Sequence, residues 1–421
     1  MAKVTRDMLG RQSLLRVDDA LKILLEHLAL VRLQTETVPL ATALDRITAK
    51  PIISPETLPA HARSTMDGFA VQAADTFGAS ESMPAYLRIC GEVLMGQQPT
   101  FTVERGCCAR IPTGGLLPSG TDAVVMLEQT VPIDESMVEI VKAVGVGTSL
   151  IAPGEDIGKG DPALPAGHRL RPQDLGLLAG LGVDQIEVYG RIRVGVLSTG
   201  DEIVPYTEVP PPGKIRDING VTLAGLVLRA GGEVSSYGIV SDLKESFTAA
   251  VAQATKENHI VLFSGGSSVG VADLGERTIA ALGNPGVLVH GVALKPGKPI
   301  IIGLCGSTPI FGLPGHPVSA MVCFELFVEP TIRHLSGLSS QENLPQPFVF
   351  ARLARNINSA PGRRDLIRVR LAKGDGVWTA DPVLGKSGAI TTISHAHGYF
   401  FIDEESQGLT KDTEVKIILY L

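Results

Sequence analysis

The feature that most constrains this chain is the run from Arg191 to Leu335, where short apolar segments alternate with amphipathic ones. Arg191–Ser198, Val234–Val240, His259–Ser264, Val287–Leu294, Pro299–Gly303 and Pro309–Leu313 read as strands. Gly220–Ala230, Leu243–Lys256 and Asp273–Leu282 read as helices, and a long helix from about Val318 to Leu335 closes the run. In the second of these helices Phe247, Ala250, Val251 and Ala254 fall on one face. Apolar strands separated by helices predict a mostly parallel sheet covered on both sides.

The flanks have a different period. Within 12–33, Leu14, Leu15, Ala20, Leu21, Leu24, Leu25 and Leu28 recur at helical spacing. From Pro39 to about Gly147 the pattern is short strands bounded by Gly or Pro, as in Tyr86–Cys90, Cys107–Ile111 and Ala123–Leu127. The stretch Ala152–Gly167 reads as a crossing linker, followed by a short helix from Pro172 to Leu181. After Gly337, Ser and Pro mark another linker, and a small β-domain is expected to follow, ending at Glu414–Tyr420.

Composition excludes several functions. Lys and Arg total 37 against 44 Asp and Glu, a net charge of −7 with no long basic run, and aromatic residues are 5%. Nucleic acid and anionic membranes are therefore poor partners. Pro299–Phe324 carries no formal charge, but four prolines and four glycines interrupt it, so it reads as buried strands, a loop and a helix start rather than a membrane span. The first ten residues lack the apolar core of a signal peptide. Five cysteines without C-x-x-C spacing read as reduced, structural thiols in a cytoplasmic protein.

Ligands of open α/β sheets bind outside the carboxyl ends of the strands. Ser198-Thr-Gly-Asp-Glu202 follows the first strand, and Ser264-Gly-Gly-Ser-Ser-Val-Gly270 follows the third. A Gly/Ser loop opening a helix offers unpaired N–H groups to an anion, although such loops also serve simply as tight turns. Asp201, Glu202, Asp217, Asp242 and Asp273 fall at the same ends. They read either as helix caps, Asp242 before the Leu243 helix above all, or as oxygen ligands for Mg²⁺ beside substrate phosphates. Lys295-Pro-Gly-Lys298 reads as a solvated turn or as two cations for an oxyanion. Gly312-Leu-Pro-Gly-His-Pro-Val-Ser-Ala320 is a rigid loop at a helix start, with Ser319 as a donor. Asp67-Gly68 reads as a turn or as a reactive carboxylate.

Other motifs fail. Gly385-Lys-Ser387 lacks the first Gly of a phosphate loop, and the β-branched stretch Ala389–Ile393 after it does not read as a helix. His395 and His397 have no third metal ligand near them in sequence.

Seven motifs, taken together and in order, make the chain resemble molybdopterin molybdenumtransferase, the family that includes the C-terminal enzyme domain of gephyrin. They are Ser64–Val71, Arg110–Gly114, Pro153–Ile157, Leu197–Glu202, Ser264–Gly270 with Ala272-Asp273, Lys295–Pro299 and Gly312–Ala320. The resemblance implies a cytoplasmic, elongated homodimer of four-domain subunits with shared active sites. It divides the chain into an elongated helical and linker domain (1–60 and 150–189), a β-rich domain (61–149), a molybdopterin-binding α/β domain (190–337) and a C-terminal β-barrel-like domain (338–421). It implies that molybdate enters adenylylated molybdopterin, with Mg²⁺-dependent cleavage releasing AMP and forming molybdenum cofactor. A transient contact with the molybdopterin adenylyltransferase goes with that reaction.

The resemblance also assigns roles. Glu202, Asp242 and Asp273 match acidic residues near the metal and the substrate phosphates. Asp67, Thr113 and Asp156 match functional positions outside the sheet domain, and these six form the implied catalytic set. Ser198, Thr199, Gly200, Asn219, Ser264, Gly265, Gly266 and Ser268 match the substrate loops. Lys295, Gly297, Lys298, Pro314, Gly315, Pro317 and Ser319 match the molybdate and pterin surroundings, with Arg368 and Ser387 as looser matches in the last domain. His316 stands where the family usually has Asn, and Gly220 where Arg is common.

Molybdate is a dianion and a pyrophosphate link is more negative still. A chain of net charge −7 must therefore gather cations and N–H groups locally. Two other classes share part of the pattern. A non-catalytic cofactor-binding scaffold predicts loss of the acidic groups, yet Asp67, Glu202, Asp242 and Asp273 are all present. The molybdopterin adenylyltransferase shares the sheet domain but lacks flanking β-domains.

Overall fold

The computed structural model describes residues 5–6, 13–28, 33–265, 269–339, 346–374 and 376–420. The chain divides into two compact units, one of residues 37–44 and 50–187 and the other of residues 1–36, 45–49 and 188–421.

The unit of residues 37–44 and 50–187 is built on a six-stranded sheet ordered Thr130–Pro132, Met137–Ile140, Ala85–Glu92, Cys107–Ile111, Gly68–Val71, Ala123–Met126. Its pairs are antiparallel except Ala85–Glu92 with Cys107–Ile111, where a bulge falls between Ile89 and Gly91. Phe69, Val71, Leu87, Cys108, Val125 and Ile140 fill one face. Gly68 is required because a Cβ there would lie 2.0 Å from Val125 O. The expected linker is partly strand, since Pro162–Leu164 pairs with Ile52–Ile53; just before it Leu150–Ile151 pairs with Arg63–Ser64, and after it comes the short helix α2 (Pro172–Gly180).

In the other unit, the expected helix over 12–33 is shorter. Helix α1 spans Val17–Leu28, while Ser13–Leu14 is extended and Leu15 bridges Val292. Val17, Ala20, Leu24 and Leu28 recur at helical spacing and are fully covered.

The α/β sheet is ordered Glu233–Val240, Arg193–Thr199, Ile260–Gly265, Thr308–Leu313, Ile301–Cys305, Pro285–His290. The first four strands are mutually parallel, and Ile301–Cys305 runs against both of its neighbours. The mostly parallel sheet is therefore present. Period-two alternation fills both of its faces. Ile260 and Leu262 pack with Leu223 and Leu226 of α3 (Asn219–Arg229) and with Phe324 and Phe327. Val261 and Phe263 pack with Phe247 and Val251 of α4 (Lys244–Glu257) and with Ile279 of α5 (Val269–Leu282). The long final helix is present as α6 (Pro317–Cys323), a π-helical turn (Phe324–Val328) and α7 (Glu329–Leu335).

The C-terminal strands close into a barrel. Arg364–Gly374, Val377–Pro382, Phe348–Leu353, Glu414–Leu419 and Gly398–Ile402 follow in order, and the last pairs back onto the first. Ala351, Leu353, Val369, Phe400 and Ile417 fill the interior. Leu294–Lys295 adds a parallel strand to Arg364–Asp365 and so ties the α/β domain to the barrel. Among the described residues no helix is long and apolar enough to cross a membrane.

Candidate active site

At the carboxyl end of the parallel strands, Thr199 Oγ1 donates to Asp242 Oδ1 at 2.5 Å, and Asp201 N–H donates to Asp242 Oδ2 at 3.3 Å. The cap reading of Asp242 is corrected by this geometry. Leu243 is extended, its N–H donates to Ser241 Oγ, and the helix begins only at Lys244. Asn219, buried at the start of α3, donates through Nδ2 to Ser264 Oγ at 2.6 Å and to Gly315 O at 2.8 Å. One amide thus ties together three loops that are far apart in sequence. Gly220 N–H donates to Asp217 Oδ1 at 2.9 Å, so Asp217 takes the capping role.

The glycines here permit close backbone approach. A Cβ on Gly265 would meet Thr199 O at 1.9 Å, and one on Gly200, where φ is 148°, would meet Glu202 Oε2 at 2.7 Å. Ser198 Oγ and Asn219 Oδ1 are buried polar atoms with no partner among the described residues. Buried polar atoms are normally satisfied, so two orphans at a sheet's ligand end are what a polar ligand would complete. Gly266 and Ser268 lie outside the described residues.

Asp273 does not start its helix as expected. Helix α5 begins at Val269, so Asp273 sits in its second turn and pairs with Arg277, Oδ1 to Nε at 3.1 Å and Oδ2 to Nη2 at 2.8 Å.

On the barrel side, Lys295 Nζ lies 3.8 Å from Asp365 Oδ2, and Asp365 Oδ1 also accepts from Arg363 Nε at 2.9 Å. Gly297 is buried with φ 125°, and a Cβ there would strike Cys323 Sγ and Leu294 Cδ2 at 2.8 Å. Lys298 is half-buried, Pro314 O accepts from Ser264 Oγ at 3.4 Å, and Ser319 is buried in the first turn of α6 after Pro317. Ser387 reaches this loop: its carbonyl accepts from Val318 N–H at 3.2 Å, and its Oγ lies 3.0 Å from His316 Nδ1. Arg368 is buried, donates through Nη1 to Thr392 Oγ1 at 2.7 Å, and its Nε has no partner among the described residues. Burial, opposed by the nearby Tyr420, pulls its guanidinium below the ordinary arginine value. The stretch after Ser387, expected to be non-helical, contains one helical turn, α8 (Thr391–Ser394), which carries Thr392. His397 Nδ1 accepts from Leu371 N–H at 2.9 Å, a structural use of that ring.

In the other unit, Asp67 Oδ1 accepts from Thr113 N–H at 2.7 Å and from Thr113 Oγ1 at 3.0 Å. Those two bonds hold the exposed Asp67 carboxyl below its usual range. Asp156 is also exposed, with its N–H donating to Leu58 O at 3.3 Å.

Sequence reasoning missed Thr392, Arg363 and Asp365 as neighbours of the assigned residues. The Arg368–Thr392 contact spans 24 residues and has no local signature. The carboxylates Glu202, Asp242 and Asp273 are not gathered into one coordination set; among the described residues no group of three or more His, Cys, Asp or Glu side chains does this. The donors fit Mg²⁺ nonetheless. They are hard oxygens, and this ion commonly takes one or two carboxylates together with substrate phosphates and water.

Family models describe the same organisation. The "MoeA N-terminal region (domain I and II)" matches residues 15–182, the "Probable molybdopterin binding domain" residues 195–334, and the "MoeA C-terminal region (domain IV)" residues 351–420. A molybdopterin molybdenumtransferase of Haemophilus influenzae is 35% identical over 356 residues, covering 84% of this chain and 85% of that one. A protein of the same name from Staphylococcus aureus is 31% identical over 384 residues, 91% of this chain and 90% of its own. The crystal structure of a molybdopterin biosynthesis MoeA protein from Pyrococcus horikoshii OT3 superposes with a TM-score of 0.83 at 30% identity, covering 97% of this chain and 100% of that one. Fold and site together define a multidomain protein in which a molybdopterin-binding type of α/β domain joins β-rich N-terminal domains and a C-terminal β-barrel. The chain belongs to the molybdopterin molybdenumtransferase family.

Proposed function

We propose that this enzyme inserts molybdate into adenylylated molybdopterin, with Mg²⁺-dependent cleavage that releases AMP and forms molybdenum cofactor. The observation that carries this reading is the strand-end site itself, where Asn219 ties Ser264 to Gly315 beside two unsatisfied buried polar atoms and the Thr199–Asp242 pair. Glycine-lined loops admit a phosphate link closely, and buried Arg368 with Lys295 and Lys298 supplies the positive charge that an oxyanion needs.

Cleaving a phosphoanhydride is mainly positioning and charge stabilisation. Asn219 and Ser264 orient the substrate, Lys295, Lys298 and Arg368 hold the oxyanion, and Thr199 fixes Asp242 in one rotamer. One or two of the carboxylates Asp242, Glu202 and Asp273, together with the substrate phosphates, would hold Mg²⁺, which when bound neutralises charge on the phosphates. We further assign Asp67, Thr113 and Asp156 to the same reaction through a homodimer with shared active sites, in the cytoplasm, with a transient handover from the molybdopterin adenylyltransferase.

The test is AMP release from adenylylated molybdopterin on adding molybdate. Release that requires both molybdate and Mg²⁺ is expected. AMP formed without molybdate dependence would mean simple hydrolysis of the anhydride, and no AMP at all would favour adenylyl transfer or a scaffold; either result would sink the proposal.

A further inference from the structure

His316 sits where the α/β domain meets the barrel. It occupies the position before α6 in extended conformation, and its side chain does not cap that helix. The ring turns instead to the barrel loop, where Nδ1 lies 3.0 Å from Ser387 Oγ. A Cβ on the neighbouring Gly388 would come within 3.7 Å of His316 Cδ2, so the loop packs directly on the ring. Ser387 O also accepts from Val318 N–H, which fixes the serine against the start of α6. The imidazole is exposed and, among the described residues, has no carboxylate partner.

We propose that His316 is a positioning residue that makes oxyanion binding at this junction depend on a proton. The inference rests on the oxyanion chemistry proposed above. A neutral ring protonated at Nε2 accepts at Nδ1, so the Ser387 hydroxyl spends its only hydrogen on the histidine. Protonation turns Nδ1–H into the donor, and Ser387 Oγ becomes the acceptor. The serine hydrogen is then released toward a bound oxyanion, and the ring adds one positive charge beside it. Imidazole is the side chain that most readily gains or loses a proton near neutrality, so comparing a lower with a higher pH separates the two states of the pair. Charged groups on the neighbouring segments include Lys386 next to Ser387, Arg368 bonded to Thr392, which packs against Gly385 of the same loop, and Asp217 ahead of the helix whose Asn219 bonds Gly315 O. The two cations favour the oxyanion in either state, so the pH-dependent increment belongs to the His316–Ser387 pair.

The experiment titrates the full chain with molybdate, and separately with tungstate, by calorimetry at about pH 6 and about pH 8. The expected wild-type result is affinity roughly tenfold weaker at the higher pH, the size of one charge-assisted hydrogen bond. His316→Asn should bind with the same weakened affinity at both pH values, and Ser387→Ala should lose most of the wild-type difference. In the AMP-release assay the His316→Asn effect should appear in the KM for molybdate at about pH 6, with a smaller change in kcat. A His316→Asn profile that follows wild type across pH overturns the inference while leaving the proposed reaction standing. Absence of molybdate-dependent AMP release in wild type removes the proposed reaction, and the binding titration still decides the role of His316.

Discussion

Thr199 Oγ1 and Asp242 Oδ1 are 2.5 Å apart, across the ends of two neighbouring parallel strands. The hydroxyl fixes one carboxylate oxygen, and Asp201 N–H holds the other. Thr199→Val keeps the shape and removes the donor, which frees Asp242 to turn toward water. Losing the position of a reacting group typically costs far more rate than stability. We expect AMP release to fall by about 10- to 100-fold while the melting temperature shifts little. Single-turnover AMP release would check this, and a rate within twofold of wild type would show that Asp242 needs no such restraint.

Asp273 poses the opposite question, because the structure gives it an ordinary partner. Its i,i+4 pair with Arg277 is about half exposed, and such pairs are worth about 0.3–0.5 kcal/mol. Asp273→Asn should therefore leave urea unfolding almost unchanged. If the carboxylate acts at the phosphate link, the same variant should lose AMP release by about 100-fold or more and show altered Mg²⁺ dependence. Near wild-type turnover would reduce Asp273 to a helix-surface ion pair.

Lys295 is more than half exposed and stands 3.8 Å from Asp365, which keeps Arg363 as a second partner. Lys295→Ala therefore strands no buried charge. It should raise the molybdate concentration needed for half-maximal AMP release by about five- to tenfold, as expected for one lost charge-assisted contact. A change confined to kcat would place the lysine elsewhere in the reaction.

The parts that were legible in the sequence depend on local periodicity. Ile260–Gly265 announces itself as a strand buried on both faces, and the Phe247–Ala254 stripe fixes how α4 lies on the sheet. Helix starts were less legible. Asp242 and Asp273 both look like caps, yet one falls two residues before its helix and the other four residues after its helix begins. A capping signal reports a residue type that also suits ligand contacts, and only the backbone decides between them. Contacts made by folding, such as Asn219 to Gly315 or Arg368 to Thr392, leave no pattern in the chain at all. The same holds for Glu325, a carboxylate in the otherwise apolar run Ala320–Val328 whose burial nothing in the sequence announces.

Glu325 lies in the π-helical turn, its side chain almost fully covered, with Oε2 unpartnered among the described residues and Oε1 3.5 Å from Arg229 Nη2. Glu329, one turn on, is buried too and bonds Arg333 at 2.6 Å. Burial pushes the Glu325 carboxyl up to about 7, Arg229 opposes this and Glu329 adds to it. Its ordinary value is near 4.5, so the folded state holds this proton more tightly than the unfolded chain. Linkage then gives the sign. The contribution to stability is most favourable below about pH 4.5, declines as pH rises from there to about 7, and is level above, a total of about 3 kcal/mol. Glu325→Gln keeps the shape of the neutral acid and does not titrate. Arg229 is partly exposed, so losing its partner leaves no buried cation. We expect the variant to match wild type at about pH 5 and to exceed it by about 2–3 kcal/mol at about pH 8. Urea unfolding of both proteins at the two pH values measures this directly. An equal loss of stability with rising pH in wild type and variant would show that Glu325 is ionised throughout, with Arg229 meeting the cost of its burial.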